Sequence, residues 1–166
     1  MAVRQATMVE PEAGKWASAL GFSFRVKIRG EQTSGAFSIT EFVAQPGAFT
    51  PPHVHEKTDE VFYVLEGELG VMVGEEEFTA VPGACVVEPK GVPHSLWNVG
   101  DRPARTLEIA TPAGHEAFLE AIAELKSSSS PPTLEERRAM ARRHDTRFLP
   151  ELAPPLMQKY GLRMPA

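Results

Sequence analysis

Between Gly21 and Pro112 the sequence is a succession of short alternating apolar runs, each stopped by glycine or proline, and no other feature restricts the fold so strongly. "FSFRVKI", "GAFSITEFVA", "EVFYVLEGELGVMVG", "EFTAVPGACVVEP", "HSLWNVG" and "RTLEIATP" follow one another. A period of two sends alternate side chains to opposite faces of a strand. Short strands at this spacing, with turn residues between them, build an all-β sandwich or barrel. "LEGEL" and "VGEEEF" are predicted hairpin turns, where glycine takes a positive φ without steric cost. No helix longer than a turn is expected in this region.

After Pro112 the pattern changes. "HEAFLEAIAEL" places Phe118, Leu119, Ile122 and Leu125 on one helical stripe. "KSSSSPPT" reads as a flexible break, and Thr133 with Glu136 forms a capping box that opens a helix over "LEERRAMARRH". Pro150, Pro154 and Pro155 punctuate the tail, with a short helical turn expected around "LMQKYG". The expected organisation is an N-terminal arm (1–20), a β-barrel (21–114) and a helical C-terminal extension (115–166) that is not an independent domain.

A chain of 166 residues suits one domain with a substantial core, and 42% hydrophobic with 23% charged residues suits a globular protein. The formal charge of -5 argues against nucleic acid, which calls for clustered cations. Arg137, Arg138, Arg142 and Arg143 do cluster, but Glu135, Glu136 and Asp145 lie among them, as on a solvated helix face. No apolar run approaches the ~20 residues that cross a bilayer. "MAVRQATMVEPEAGKW" lacks the apolar segment of a secretory leader. The lone Cys85, in "GACVVEP", reads as a small buried hydrophobe. The expected compartment is the cytoplasm.

The chemistry concentrates in "PPHVHEKTDEVFYVLEG", residues 51–67. His53 and His55 project from one face of a strand, and Glu60 shares a face with Phe62 and Val64 on the next run. If the two runs are neighbours in a curved sheet, two imidazoles and a carboxylate converge, and His94 of "PKGVPHSLWN" offers a third imidazole. An unpaired carboxylate on a buried face is costly, and no Lys or Arg occurs between Glu60 and Ala80. A metal ion is the economical counter-charge, with an arginine from a distant strand as the alternative. Asp59 is a rival ligand, but its parity sends it to the other face, with Val61 and Tyr63. Three His and one Glu suit Fe, Ni, Mn, Cu or Zn, and leave two positions of an octahedral ion open. His115 and His144, in the extension, are expected to be structural and remote from the cluster. Trp97 and Tyr63 fall on the face opposite the ligands, where they would pack between sheets or in a subunit interface.

The pattern resembles that of the cupins, whose first motif is G-x5-H-x-H-x3,4-E-x6-G. Gly47, His53, His55, Glu60 and Gly67 fill its fixed places. The second motif, G-x5-P-x-G-x2-H-x3-N, is filled by Gly83, Pro89, Gly91, His94 and Asn98. Ala84 departs from the acid often found after the opening glycine, which bears on the loop and not on the ligands. From Gly21 to Gly114 the chain resembles the single-domain, quercetin-dioxygenase-like cupins, through "TPPHVH", "DEVFYVLEGEL", "GVPHSLWN" and "TPAG". The resemblance implies a small double-stranded β-helix (a jelly-roll barrel) holding one divalent metal on His53, His55, Glu60 and His94. It also implies a homodimer.

For function, the first reading is a metal-dependent dioxygenase acting on a small aromatic or enol-type molecule. The inward candidates Phe49, Phe62, Val64 and Leu96 would form its pocket, and Glu60 would double as the base, a role taken from the family. The alternatives are a non-catalytic module that binds a small molecule or sugar, and a metal-dependent isomerase or decarboxylase. A sugar-phosphate isomerase would need Lys and Arg on the ligand-bearing faces, which carry none.

Overall fold

The computed structural model describes residues 8–19, 21–127 and 133–164. The "KSSSSPPT" break, except for its two ends, and much of the N-terminal arm lie outside them. The strands are β1 (Ala17–Ala19), β2 (Phe22–Ile28), β3 (Ser38–Ala44), β4 (Phe49–His55), β5 (Asp59–Glu66) and β6 (Leu69–Val73). They continue as β7 (Glu76–Ala80), β8 (Cys85–Glu88), β9 (His94–Trp97) and β10 (Ala104–Thr111). Then come helices α1 (His115–Ser127) and α2 (Leu134–Arg143), strand β11 (Thr146–Phe148) and helix α3 (Ala153–Tyr160).

The expected mainly-β double-sheet architecture with C-terminal helices is what forms. A six-stranded sheet, β1-β2-β3-β10-β5-β8, faces a five-stranded sheet, β11-β4-β9-β6-β7, with antiparallel pairing throughout. Period-two burial explains the packing. In β5, Glu60, Phe62 and Val64 are buried and Tyr63 is exposed, while in β10 Thr106, Glu108 and Ala110 are buried and Ile109 is exposed. Phe22, Phe62, Val64, Leu69, Val71 and Val86 fill the space between the sheets.

Several expectations need correction. "VGEEEF" is a hairpin turn between paired β6 and β7, but "LEGEL" is not, because β5 and β6 belong to different sheets. Gly67 (φ 70) turns the corner there, and a Cβ at that position would lie 2.5 Å from the carbonyl oxygen of Pro103. Cys85 is exposed rather than buried, since edge strand β8 turns Val86 and Glu88 inward and leaves Cys85 and Val87 outside. The extension is not wholly helical, because β11 pairs along β4.

The Thr133–Glu136 capping box starts α2 as expected. Helix α1 sets Leu119 against Phe24, and Phe118 against Met140 and Ala141. Helix α3 covers the outer face of the five-stranded sheet, burying Phe49, Met72 and Trp97 under Ala153 and Leu156. Trp97 is thus sealed by the chain's own tail, its ring 4.7 Å from that of Tyr160.

Candidate metal centre and cavity

His53 and His55 come from β4, His94 from β9 and Glu60 from β5. From the sequence, convergence is expected if the run of His53 and His55 and the run of Glu60 are neighbours in one curved sheet. They lie instead in opposite sheets, so Glu60 meets the imidazoles across the barrel interior. The donor atoms of all four residues lie within 4.8 Å of one another, and each side chain is buried.

Backbone carbonyls fix the tautomers. Nδ1 of His53 donates to Pro51 O (2.9 Å), that of His55 to Asp145 O (3.0 Å) and that of His94 to Val92 O (3.1 Å). A carbonyl only accepts, so each Nδ1 carries a hydrogen and each ring, when neutral, turns its Nε2 lone pair to the common centre. The Nε2 atoms of His94 and His53 stand 3.1 Å apart. Glu60 Oε1 is 3.4 Å from His55 Nε2, and Glu60 Oε2 is 3.6 Å from His94 Nε2. His55 Nε2 is buried without a hydrogen-bond partner. Converging ring nitrogens and a carboxylate around this orphaned buried atom fit a divalent transition metal in both donor type and placement.

The motif residues outside the cluster build its frame. Asn98 donates to Ala44 O (2.8 Å) and Arg102 O (2.9 Å) and accepts from Gly100 N (2.9 Å). Gly91 (φ 75) donates its N–H to His55 O at 2.7 Å, tying the second motif to the first.

His115 was expected to be remote, and it is not. The first residue of α1 puts its Nδ1 2.5 Å from Glu60 Oε1 and 2.9 Å from Glu108 Oε1. Glu60, Glu108 and His115 form a second tight group sharing Glu60 with the first. Burial works against the His115 cation, but Glu60 and Glu108 override it and raise its pKa well above the ordinary histidine value. Burial likewise works against the Glu60 anion, and His115 and His55 hold its pKa well below the usual carboxylate range. Burial, with His94 and His55 as like charges, drives His53 well down. Glu88 goes the other way, raised to about 8 by burial, with Glu60 and Glu108 adding to it against His94. His144 caps the C-terminus of α2, its ring 6.2 Å from that of Phe118, and joins neither group.

The centre opens onto a cavity between the sheets. Phe62 and Leu96 line it, together with Phe22, Phe42, Leu69, Phe118 and Leu119. Val64 sits deeper, in the core between the sheets. Phe49 does not face the cavity. Between Thr50 and His53 strand β4 carries one residue more than β9, pairing Thr50 with Leu96 and His53 with His94. That bulge reverses the parity, so Thr50 lines the cavity and Phe49 packs outside beside Trp97. Among the described residues no Lys or Arg lines the cavity, whereas Glu60, Glu88 and Glu108 do.

Fold and site together define a double-sheet β-barrel with a His/Glu cluster able to hold a metal ion. Residues 40–110 match the family model of the cupin domain. Residues 40–110 therefore form a cupin domain. It is similar to the polyketide cyclase RemF from Streptomyces resistomycificus, 27% identical with a TM-score of 0.57 over 64% of this chain and 80% of that one. The fold is also that of KdgF from Halomonas sp., 18% identical with a TM-score of 0.61 over 68% of this chain and 99% of that one. A germin-like protein (subfamily 2 member 2) of Arabidopsis thaliana is 42% identical over 67 residues, 37% of this chain and 31% of the relative. The chain spans 60%, 31% and 48% of the length of three curated relatives it matches.

Proposed function

We propose that this chain is a metal-dependent enzyme, a dioxygenase, acting on a small aromatic or enol-type molecule. The observation that carries the reading is a four-donor cluster opening onto an aromatic-walled cavity with no lining Lys or Arg among the described residues. His53, His55, Glu60 and His94 would hold the ion. A divalent transition metal there would supply positive charge to an enol or phenol oxygen and, when redox-active, the electron transfer that dioxygen chemistry needs.

The remaining roles fall to the chain itself. Phe22, Phe42 and Phe62 pack the substrate ring and exclude water. Glu60, kept ionised by His115, is placed to accept a proton from the substrate hydroxyl. A sugar phosphate or a dicarboxylate would meet Glu60, Glu88 and Glu108 and, among the described residues, no Lys or Arg to grip it, which argues against isomerase and decarboxylase readings of that kind.

A redox-neutral second reading is favoured by the Glu108–His115 pair, a proton-handling couple on the cavity wall, and by the likeness to a polyketide cyclase. A homodimer in the cytoplasm completes the proposal. Edge strand β8, with Val87 and Tyr63 exposed on its flank, supports the pairing, and no described helix is long and apolar enough to cross a membrane.

Oxygen-electrode assays of protein loaded with iron, copper, nickel or manganese, using flavonols and simpler enols, test the reading. Stoichiometric oxygen uptake with substrate loss is expected. Substrate loss under strict anaerobiosis would transfer the assignment to the redox-neutral reading. Binding of every enol without turnover would leave a binding module.

A further inference from the structure

One carboxylate on the cavity wall has no task in the site described above. Glu88 is 1% exposed, and its Oε1 has no hydrogen-bond partner. It belongs to neither ligand group and forms no ion pair among the described residues. Its place follows from register. Glu88 pairs with Glu60 across the β8–β5 ladder, and both side chains turn inward. Side chains paired this way stand next to each other on the sheet face. The Glu88 carboxyl therefore stands beside Glu60 on the wall of the cavity that Phe22, Phe42, Phe62 and Phe118 also line. A buried polar atom without a partner is unfavourable unless something that occupies the cavity satisfies it.

We propose that Glu88 is a substrate-recognition residue that takes a hydrogen bond from a hydroxyl next to the metal-binding oxygens. The preferred substrate is then an uncharged, polyhydroxylated phenol or enol, and analogues bearing an anionic group at that position are rejected. This rests on the metal-dependent reading above and adds its substrate class.

The test uses zinc-loaded full-length protein, which binds without oxidising, and anaerobic calorimetry with three probes. Catechol offers two vicinal hydroxyls, pyrogallol adds a third beside them, and 2,3-dihydroxybenzoate puts a carboxylate there instead. Pyrogallol is expected to bind about tenfold more tightly than catechol, the scale of one hydrogen bond to a buried carboxyl. The benzoate is expected to bind more weakly than catechol. In Glu88→Leu the advantage of pyrogallol should fall to within about twofold, with zinc content and catechol affinity kept. Wild-type protein that prefers the benzoate, or a variant that keeps the pyrogallol preference, overturns the subsite. If the variant does not fold, the wild-type ranking decides alone. Protein that takes up no zinc overturns the metal reading itself, an outcome distinct from zinc-loaded protein that ranks the three probes equally.

Discussion

Phe49 stands in one buried cluster with Trp97, Met72, Ala153 and Leu156, outside the barrel and under α3. Phe49→Ala should therefore lower stability by about 3–5 kcal/mol, the usual loss for a large core aromatic, and leave metal content unchanged. Chemical denaturation beside elemental analysis checks both, and loss of metal at unchanged stability would contradict the placement. The sequence put this ring in the pocket because parity counts cleanly from His53, and an extra residue at Pro51–Pro52 is invisible to that count. Glu88 and Glu108 escaped for a related reason. In "CVVE" and "RTLEIAT" ordinary alternation would bury Val87, Leu107 and Ile109 and expose the acids. The structure does the reverse, with Val87 57% and Ile109 41% exposed. Inward acids break the usual rule because the interior carries chemistry, and nothing local announces it. The H-x-H pair, Glu60 and His94 were legible because their spacing is itself the chemistry.

At the scale of elements, the short strand β11 is the piece the sequence hid. "TRF" is three residues inside a tail whose helical and proline signals dominate. It nevertheless supports the His/Glu cluster. Thr146 pairs with His55, and Asp145 (φ 59) offers its carbonyl to His55 Nδ1. Its carboxylate accepts from Glu56 N (3.2 Å), Lys57 N (2.9 Å) and Thr58 Oγ1 (3.0 Å), clamping the loop between β4 and β5. Asp145→Ala removes those three bonds and leaves a left-handed backbone position that alanine tolerates poorly. Metal affinity should drop by about 10–100-fold, the usual effect of disturbing a group that orients a ligand. Competitive titration with a chromophoric chelator measures it, and unchanged affinity would mean that the Asp145 clamp does not orient His55. Helix α1, by contrast, was readable as a stripe, but a stripe does not tell that its first residue reaches Glu60.

At the scale of the molecule, two sheets of one short chain press three imidazoles and three carboxylates into the same interior, and α1 forms one wall of it. The alternating runs made the double-sheet architecture legible. The convergence across the sheets was not, because it depends on how the two sheets face each other. This crowding links metal uptake to pH. Burial pulls His94 down, but Glu88 and Glu60 outweigh it and hold the metal-free imidazole up to about 9. Binding needs the neutral ring, so metal must displace that proton at pH 7. Affinity should rise about tenfold per pH unit up to pH ~9 and then level off.

The most direct measurement is elemental analysis of protein purified without chelators, beside a variant carrying His53→Ala and His94→Ala. Close to one equivalent of Fe, Ni, Mn, Cu or Zn, lost in the variant, is the result expected of a centre built from His53, His55, Glu60 and His94. Wild-type protein without metal, even after reconstitution above pH 9, would contradict it.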